Sequence, residues 1–319
     1  MFICLKKIGY FLLILLLTGF QQTNNWTTLG DMPTPRLGHA TCVVNGMVYA
    51  IGGYTEANAP GLTTVEVYDP HTGEWTTTTP MPTGRRQHAA SVVNGIIYVF
   101  GGYTNYRQNG LTVVEAFDPF SETWTKKKDM PTARMGLSTC QVNGIIYAIG
   151  GAAKVGEPLS VVEAYNPSSD TWIEKTDMPT ARYLFGCSVV ENKIYAIGGC
   201  FGGPADILSV VEEYDPATDS WIKKTDMPTK RFAPYGGNLN NKIYAIGGAA
   251  GYDILTVIEV YDPVNDNWES LPDMPNPRLG SACVTNGKIY YTGGARTVVP
   301  PHPAVSTVEA FTPSVDFNN

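Results

Sequence analysis

Charge is scarce in this sequence, and one sign prevails. Asp, Glu, Lys and Arg make up 16% of the 319 residues, and 29 acidic against 22 basic side chains give a formal net charge of −7. There is no basic run, which argues against bulk nucleic-acid binding. Histidine occurs four times and CxxC not at all, so a zinc site has no support and no cofactor is expected. GxSxG, P-loop and Rossmann glycine patterns are missing too. Long apolar runs are confined to one stretch, Ile8 to Leu17, behind Lys6 and Lys7. It is too short to cross a bilayer comfortably and reads as an export signal, residues 1–23. Phe20 stands where a lipoprotein would need cysteine. The expectation is an exported chain, periplasmic or extracellular, with no membrane span in the mature part, residues 24–319.

Helical periodicity is absent after that signal. What is present is a long repeat. Trp26, Trp75, Trp124, Trp172, Trp221 and Trp268 follow one another at 47–49 residues. Glycine doublets keep the same interval, from Gly52-Gly53 to Gly293-Gly294. Such a period means one supersecondary unit copied along the chain. In the copy Arg85–Pro131, strand a runs from Arg85 to Val93. Asn94-Gly95 suits a type I′ hairpin turn, and Ile96–Phe100 is strand b. Val113–Phe117 is strand c, and Thr123–Lys126 is strand d. Six units of four antiparallel strands predict a six-bladed β-propeller, all-β, with the small residues of strand a at the tapering axis. The chain opens on an orphan strand d around Trp26 and closes on an orphan strand c, Thr307–Phe311. The N-terminal strand is therefore expected to complete the C-terminal blade and close the ring.

Arginine at the head of strand a, Ile-Tyr-x-x-Gly-Gly, Val-Glu-x-Tyr-Asp-Pro and the following Trp resemble the Kelch repeat, over residue 24 to about 313. The resemblance is specific for fold and weak for function, because Kelch propellers serve as peptide-binding modules, carbohydrate-active enzymes and scaffolds.

Cys4 lies in the signal. Cys42, Cys140, Cys187 and Cys283 fall at near-equivalent strand a positions and read as small buried thiols. Cys187 and Cys200 share a repeat, but pairing about Glu191-Asn192 leaves them out of register for a disulfide. His39 and His88 occupy equivalent sites, yet no carboxylate or cysteine has ligand spacing to them, so no metal is expected.

Variable loops on a repeated frame are the default binding surface. The b–c loops are long and differ between copies, and they share a face with the d–a turns. Six arginines, Arg36, Arg85, Arg134, Arg182, Arg231 and Arg278, head the a strands. They are expected either to grip an anion at this mouth or to pair with the six strand c glutamates. Blades four and five look irregular, since Pro234 cannot donate to a ladder. The candidate ligand-binding residues are therefore Arg182, Arg231, Tyr183, Phe232, Phe201, Tyr252, Asp253 and Arg86. The expected function is recognition of a protein, peptide or glycan, anionic ligands included. An exported six-bladed Kelch chain also resembles the N-acetylneuraminate epimerases, sugar mutarotases, and a structural surface scaffold is the third reading.

Overall fold

The computed structural model describes residues 25–105, 109–203 and 205–313; the expected export signal lies outside them. Six four-stranded antiparallel sheets stand around an axis. Blade one is strands a Ala40–Val44, b Met47–Ile51, c Val65–Asp69 and d Glu74–Thr78. Blades two to five repeat the order a-b-c-d without a crossover. In blade six, strands a to c are Ser281–Thr285, Lys288–Thr292 and Val308–Phe311. Its strand d is Trp26–Thr28, with Trp26 opposite Phe311 and Thr28 opposite Glu309. The ring thus closes by joining the two ends of the chain in one sheet, which leaves no open edge between first and last blade.

Side-chain alternation explains the packing. Strand d is wetted on its outer side, whereas strands b and c are buried nearly throughout. Two-sided burial produces continuous apolar runs rather than strict alternation. Facing blades interdigitate: Phe100 and Val114 of blade two pack with Leu137, Ile146 and Tyr165 of blade three. The repeated tryptophans latch one blade to the one before. Nε1 of Trp75, Trp124, Trp172, Trp221 and Trp268 donates to a main-chain carbonyl of the preceding blade, at 3.0 Å in every case.

The a–b turns are as the sequence predicts, with Asn94 and Gly95 both at positive φ (51° and 79°). Strand a is shorter than expected. It begins at Ala89, because Arg85 to His88 leave the ladder for the neighbouring blade, and only an isolated bridge joins Arg86 to Tyr103. The free-thiol expectation is corrected at one pair. Cys140 and Cys187 form a disulfide between the a strands of blades three and four, their Cα atoms 6.7 Å apart. Equivalent strand a residues of adjacent blades face each other near the axis, a proximity that single-repeat reasoning does not reveal. Cys42, Cys200 and Cys283 are free and buried.

Candidate functional site

All six strand a arginines are fully buried, and each pairs with the glutamate of strand c in its own blade. Arg36 lies 2.7 Å from Glu66, and Arg231 lies 2.5 Å from Glu259. The glutamates take a second donor from Thr34, Thr83, Thr132, Thr180, Thr229 or Asn276. The guanidinium groups also hold the loop roots. Arg182 Nη1 donates to the carbonyls of Gly198 and Val210, at 3.2 and 2.9 Å, where strand b ends and strand c begins. Burial pulls the Arg182 pKa down to about 10, against the opposing pull of Glu212, so the guanidinium remains charged at neutral pH. Arg182 and Arg231, expected at the ligand surface, lie buried within their blades. Their donors face inward, because a buried guanidinium needs partners and the repeat supplies them.

The other candidates separate by depth. Arg86 is buried under the blade one loop, 3.5 Å above the Tyr54 ring, and Nη1 donates to the carbonyls of Ala57 and Ala59 at 3.0 Å. It holds the blade one loop from below. Tyr183 is likewise buried, its hydroxyl donating to the Gly202 carbonyl at 2.5 Å. Phe201 and Tyr252 are exposed (47% and 68%) on the b–c loops of blades four and five. Asp253 is exposed as well, in a two-residue ribbon opposite Ala250. Only Phe232 of the eight lines the cavity at the mouth of the axis.

That cavity holds about 330 Å³ and draws residues from all six blades. Leu37, Leu137, Leu184, Phe185, Phe232 and Leu279 make it largely apolar, with Gln87, Ser281, Thr297 and His302 as polar points. Among the described residues, no Asp, Glu, Lys or Arg lines it. Beneath it, a second space of about 250 Å³ follows the a strands down the axis. The exposed apolar tips Val155, Phe201, Tyr252 and Val299 stand on the b–c loops of blades three to six.

His39 and His88 sit between blades, at the position that Leu137 and Phe185 fill in blades three and four. His39 Nε2 lies 2.9 Å from Thr292 Oγ1. Gly52, at φ +59°, is required beside His88: a Cβ there would meet His88 Cε1 at 2.7 Å and the Arg85 carbonyl at 2.8 Å. Burial is the main cause that holds both imidazoles neutral, with Arg36 and Arg85 adding to it, and His88 falls to about 3. No group of three His, Cys, Asp or Glu side chains gathers among the described residues.

Sequence reasoning missed the cavity-lining positions just after each arginine, such as Leu137, Leu184 and Leu279. It also missed the asymmetry of blade six. Strand b carries Tyr-Ala-Ile or Tyr-Val-Phe in four of the other blades and Tyr-Ala-Ile again in the fifth, but Tyr290-Tyr291-Thr292 in blade six. That break in the repeat was the available signal.

Comparison with known proteins supports the architecture. The solved structure of YjhT superposes with a TM-score of 0.78 at 19% sequence identity, covering 90% of this chain and 98% of that one; at this identity the likeness is one of fold. No curated protein matches in sequence. Residues 181–228 and 237–275 match the Kelch motif. Residues 12–199, more than half of the chain, match the KLHDC2/KLHL20/DRC7 Kelch-repeats domain, and the chain belongs to the Kelch-repeat family.

Proposed function

We propose that this protein is a non-catalytic recognition module whose ligand is an uncharged, partly apolar segment of a protein or peptide, held at the axial mouth. The observation that carries this reading is the charge-free lining of the 330 Å³ cavity. A concave apolar site with a few polar points is the usual form of a binding pocket. The exposed tips Phe201 and Tyr252 extend the same face outward and suit a partner larger than the cavity. Export, read from Lys6, Lys7 and the apolar run behind them, belongs to the same proposal and places the partner outside the cytoplasm.

The sugar-mutarotase reading finds less support. A sialic acid carboxylate would seek a cation, and the six strand a arginines are committed to glutamates. Acid–base catalysis works best with a pKa near the working pH, whereas His88 lies at about 3.

A peptide and glycan array, with NMR of freshly dissolved α-N-acetylneuraminate, separates the readings. The expected result is capture of neutral apolar peptides, lost in Leu184→Glu, with anomer exchange at the buffer rate. Accelerated exchange would overturn the proposal in favour of the enzyme, and silence across both arrays would overturn it in favour of a scaffold.

A further inference from the structure

A collar of main-chain hydrogen bonds encircles the mouth. The second residue after each strand a arginine adopts left-handed backbone geometry in blades one to five: Gly38, Gln87, Gly136, Leu184 and Ala233, at φ 49–60°. The last four each donate to the equivalent residue of the blade before. Gln87 N–H donates to the Gly38 carbonyl, Gly136 to Gln87 and Leu184 to Gly136, all at 2.8 Å, and Ala233 donates to Leu184 at 2.6 Å. Three of these residues carry a Cβ, a conformation that costs energy unless its surroundings hold it.

Blade six does not join. Its equivalent residue, Gly280, donates its N–H to the Tyr291 hydroxyl at 3.1 Å, and that hydroxyl donates to the Arg278 carbonyl at 3.0 Å. Tyr291 is the cause. The matching residue is alanine or valine in every other blade, and the tyrosine ring crowds Gly280, where a Cβ would lie 2.5 Å from its Cε1. The collar is consequently a chain with two free ends. Among the described residues, the Gly38 N–H at one end and the Ala233 carbonyl at the other have no hydrogen-bond partner. Both residues line the mouth cavity, as does Gly280.

We infer that this gap reads the main chain of an extended peptide: one ligand residue takes the missing sixth place, its N–H donating to Ala233 and its C=O accepting from Gly38. Gly38 and Ala233 are half-buried at the mouth, where water meets these groups, so a ligand that replaces that water and supplies both partners is favoured over one that supplies neither. The groups required are the N–H and C=O of a single residue, which Gln87, Gly136 and Leu184 provide in blades two to four. The apolar wall beside the gap, with Leu279 and Leu184, accepts an uncharged side chain. This inference rests on the recognition reading above and names its ligand chemistry as peptide main chain.

The test uses the folded full chain with N-acetyl-leucine N′-methylamide as probe, and as control its analogue methylated on the leucine nitrogen. Before any ligand is added, the Gly38 amide should exchange with solvent at least about tenfold faster than those of Gln87, Gly136 and Leu184. Equal protection would overturn the inference at once. On titration, the Gly38 amide resonance should shift saturably while that of Gly136 stays in place. The N-methylated analogue should bind roughly five- to tenfold more weakly, the share of one hydrogen bond. If both probes shift the Leu137 and Leu184 methyl resonances equally and Gly38 does not respond, the collar inference fails and the mouth stands as a site. If neither probe nor any array peptide moves those methyls, both fall.

Discussion

Arg182→Met tests the internal role assigned to the arginine ring. In the folded protein Glu212 is 3% exposed and draws on Arg182 and on Thr180 Oγ1, 2.8 Å away. Taking away the guanidinium leaves a buried carboxylate with one neutral donor and strips the Gly198 and Val210 carbonyls of theirs. Breaking one partner of a buried pair costs about 3–5 kcal/mol, most of it the stranded charge rather than the lost attraction. Replacing both partners, Arg182→Met with Glu212→Met, should return most of that loss, to within about 1–2 kcal/mol of the parent. Urea unfolding followed by tryptophan fluorescence measures both proteins. Limited proteolysis should also show faster cutting in the Cys200–Ser209 loop of the single variant, since the arginine holds both roots of that loop. A single-variant cost under about 1 kcal/mol, or a double variant no more stable than the single, would refute the staple. So would a selective loss of ligand in Arg182→Met with stability unchanged, because it would put the guanidinium back at the mouth.

Three further outcomes follow from the geometry. His88 is neutral in the fold, with its pKa lowered to about 3 from an unfolded value near 6.5; above pH 6.5 it contributes nothing to pH dependence, and between about 6.5 and 3 the unfolded state binds the extra proton. Stability should then fall by up to about 1.4 kcal/mol per pH unit, and His88→Leu, matching Leu137 of blade three, should flatten that slope in acid unfolding titrations. The Cys140–Cys187 bridge spans 47 residues, so Cys140→Ser should cost up to about 4 kcal/mol by loop entropy, and mass spectrometry without reduction should recover the two cysteines in one linked peptide. Trp124→Phe should cost about 1 kcal/mol in chemical denaturation for the lost bond to Thr79, whereas Trp26→Phe, whose indole N–H has no partner among the described residues, should lose less.

The repeat was legible because it obeys short-range rules. Asn94-Gly95 names its turn, and the spacing of the tryptophans counts the blades. The unmatched strand d at Trp26 states how the ring must close, and the register of Trp26 with Phe311 bears it out. Contacts between copies were less accessible. Cys140 and Cys187 stand in different repeats, and only the placement of blades three and four side by side at the axis brings them together. Strand a was read too long for a related reason. The residues after Arg85 carry no turn signal of their own, and bonds from the adjacent blades hold Gln87 in left-handed geometry, as with Gln87 N–H to the Gly38 carbonyl.

Departures from the repeat differ in what they do to the frame. Tyr183 differs from its counterparts in the other blades, yet it spends that difference on packing: its ring lies in one buried cluster with Tyr103, Met135 and Cys200. A deviation absorbed by neighbouring side chains leaves the frame whole. Tyr291 deviates by a single enlarged side chain in strand b, out of sight of the mouth, and its hydroxyl takes up the one main-chain N–H that would have completed the collar. The repeat makes five blades donors and acceptors to one another, and a break at the sixth exposes both ends of that chain to the cavity. In a symmetric ring, specificity for a ligand without that symmetry has to come from the blade that declines to follow the others. Here the blade is the one closed by the two ends of the polypeptide.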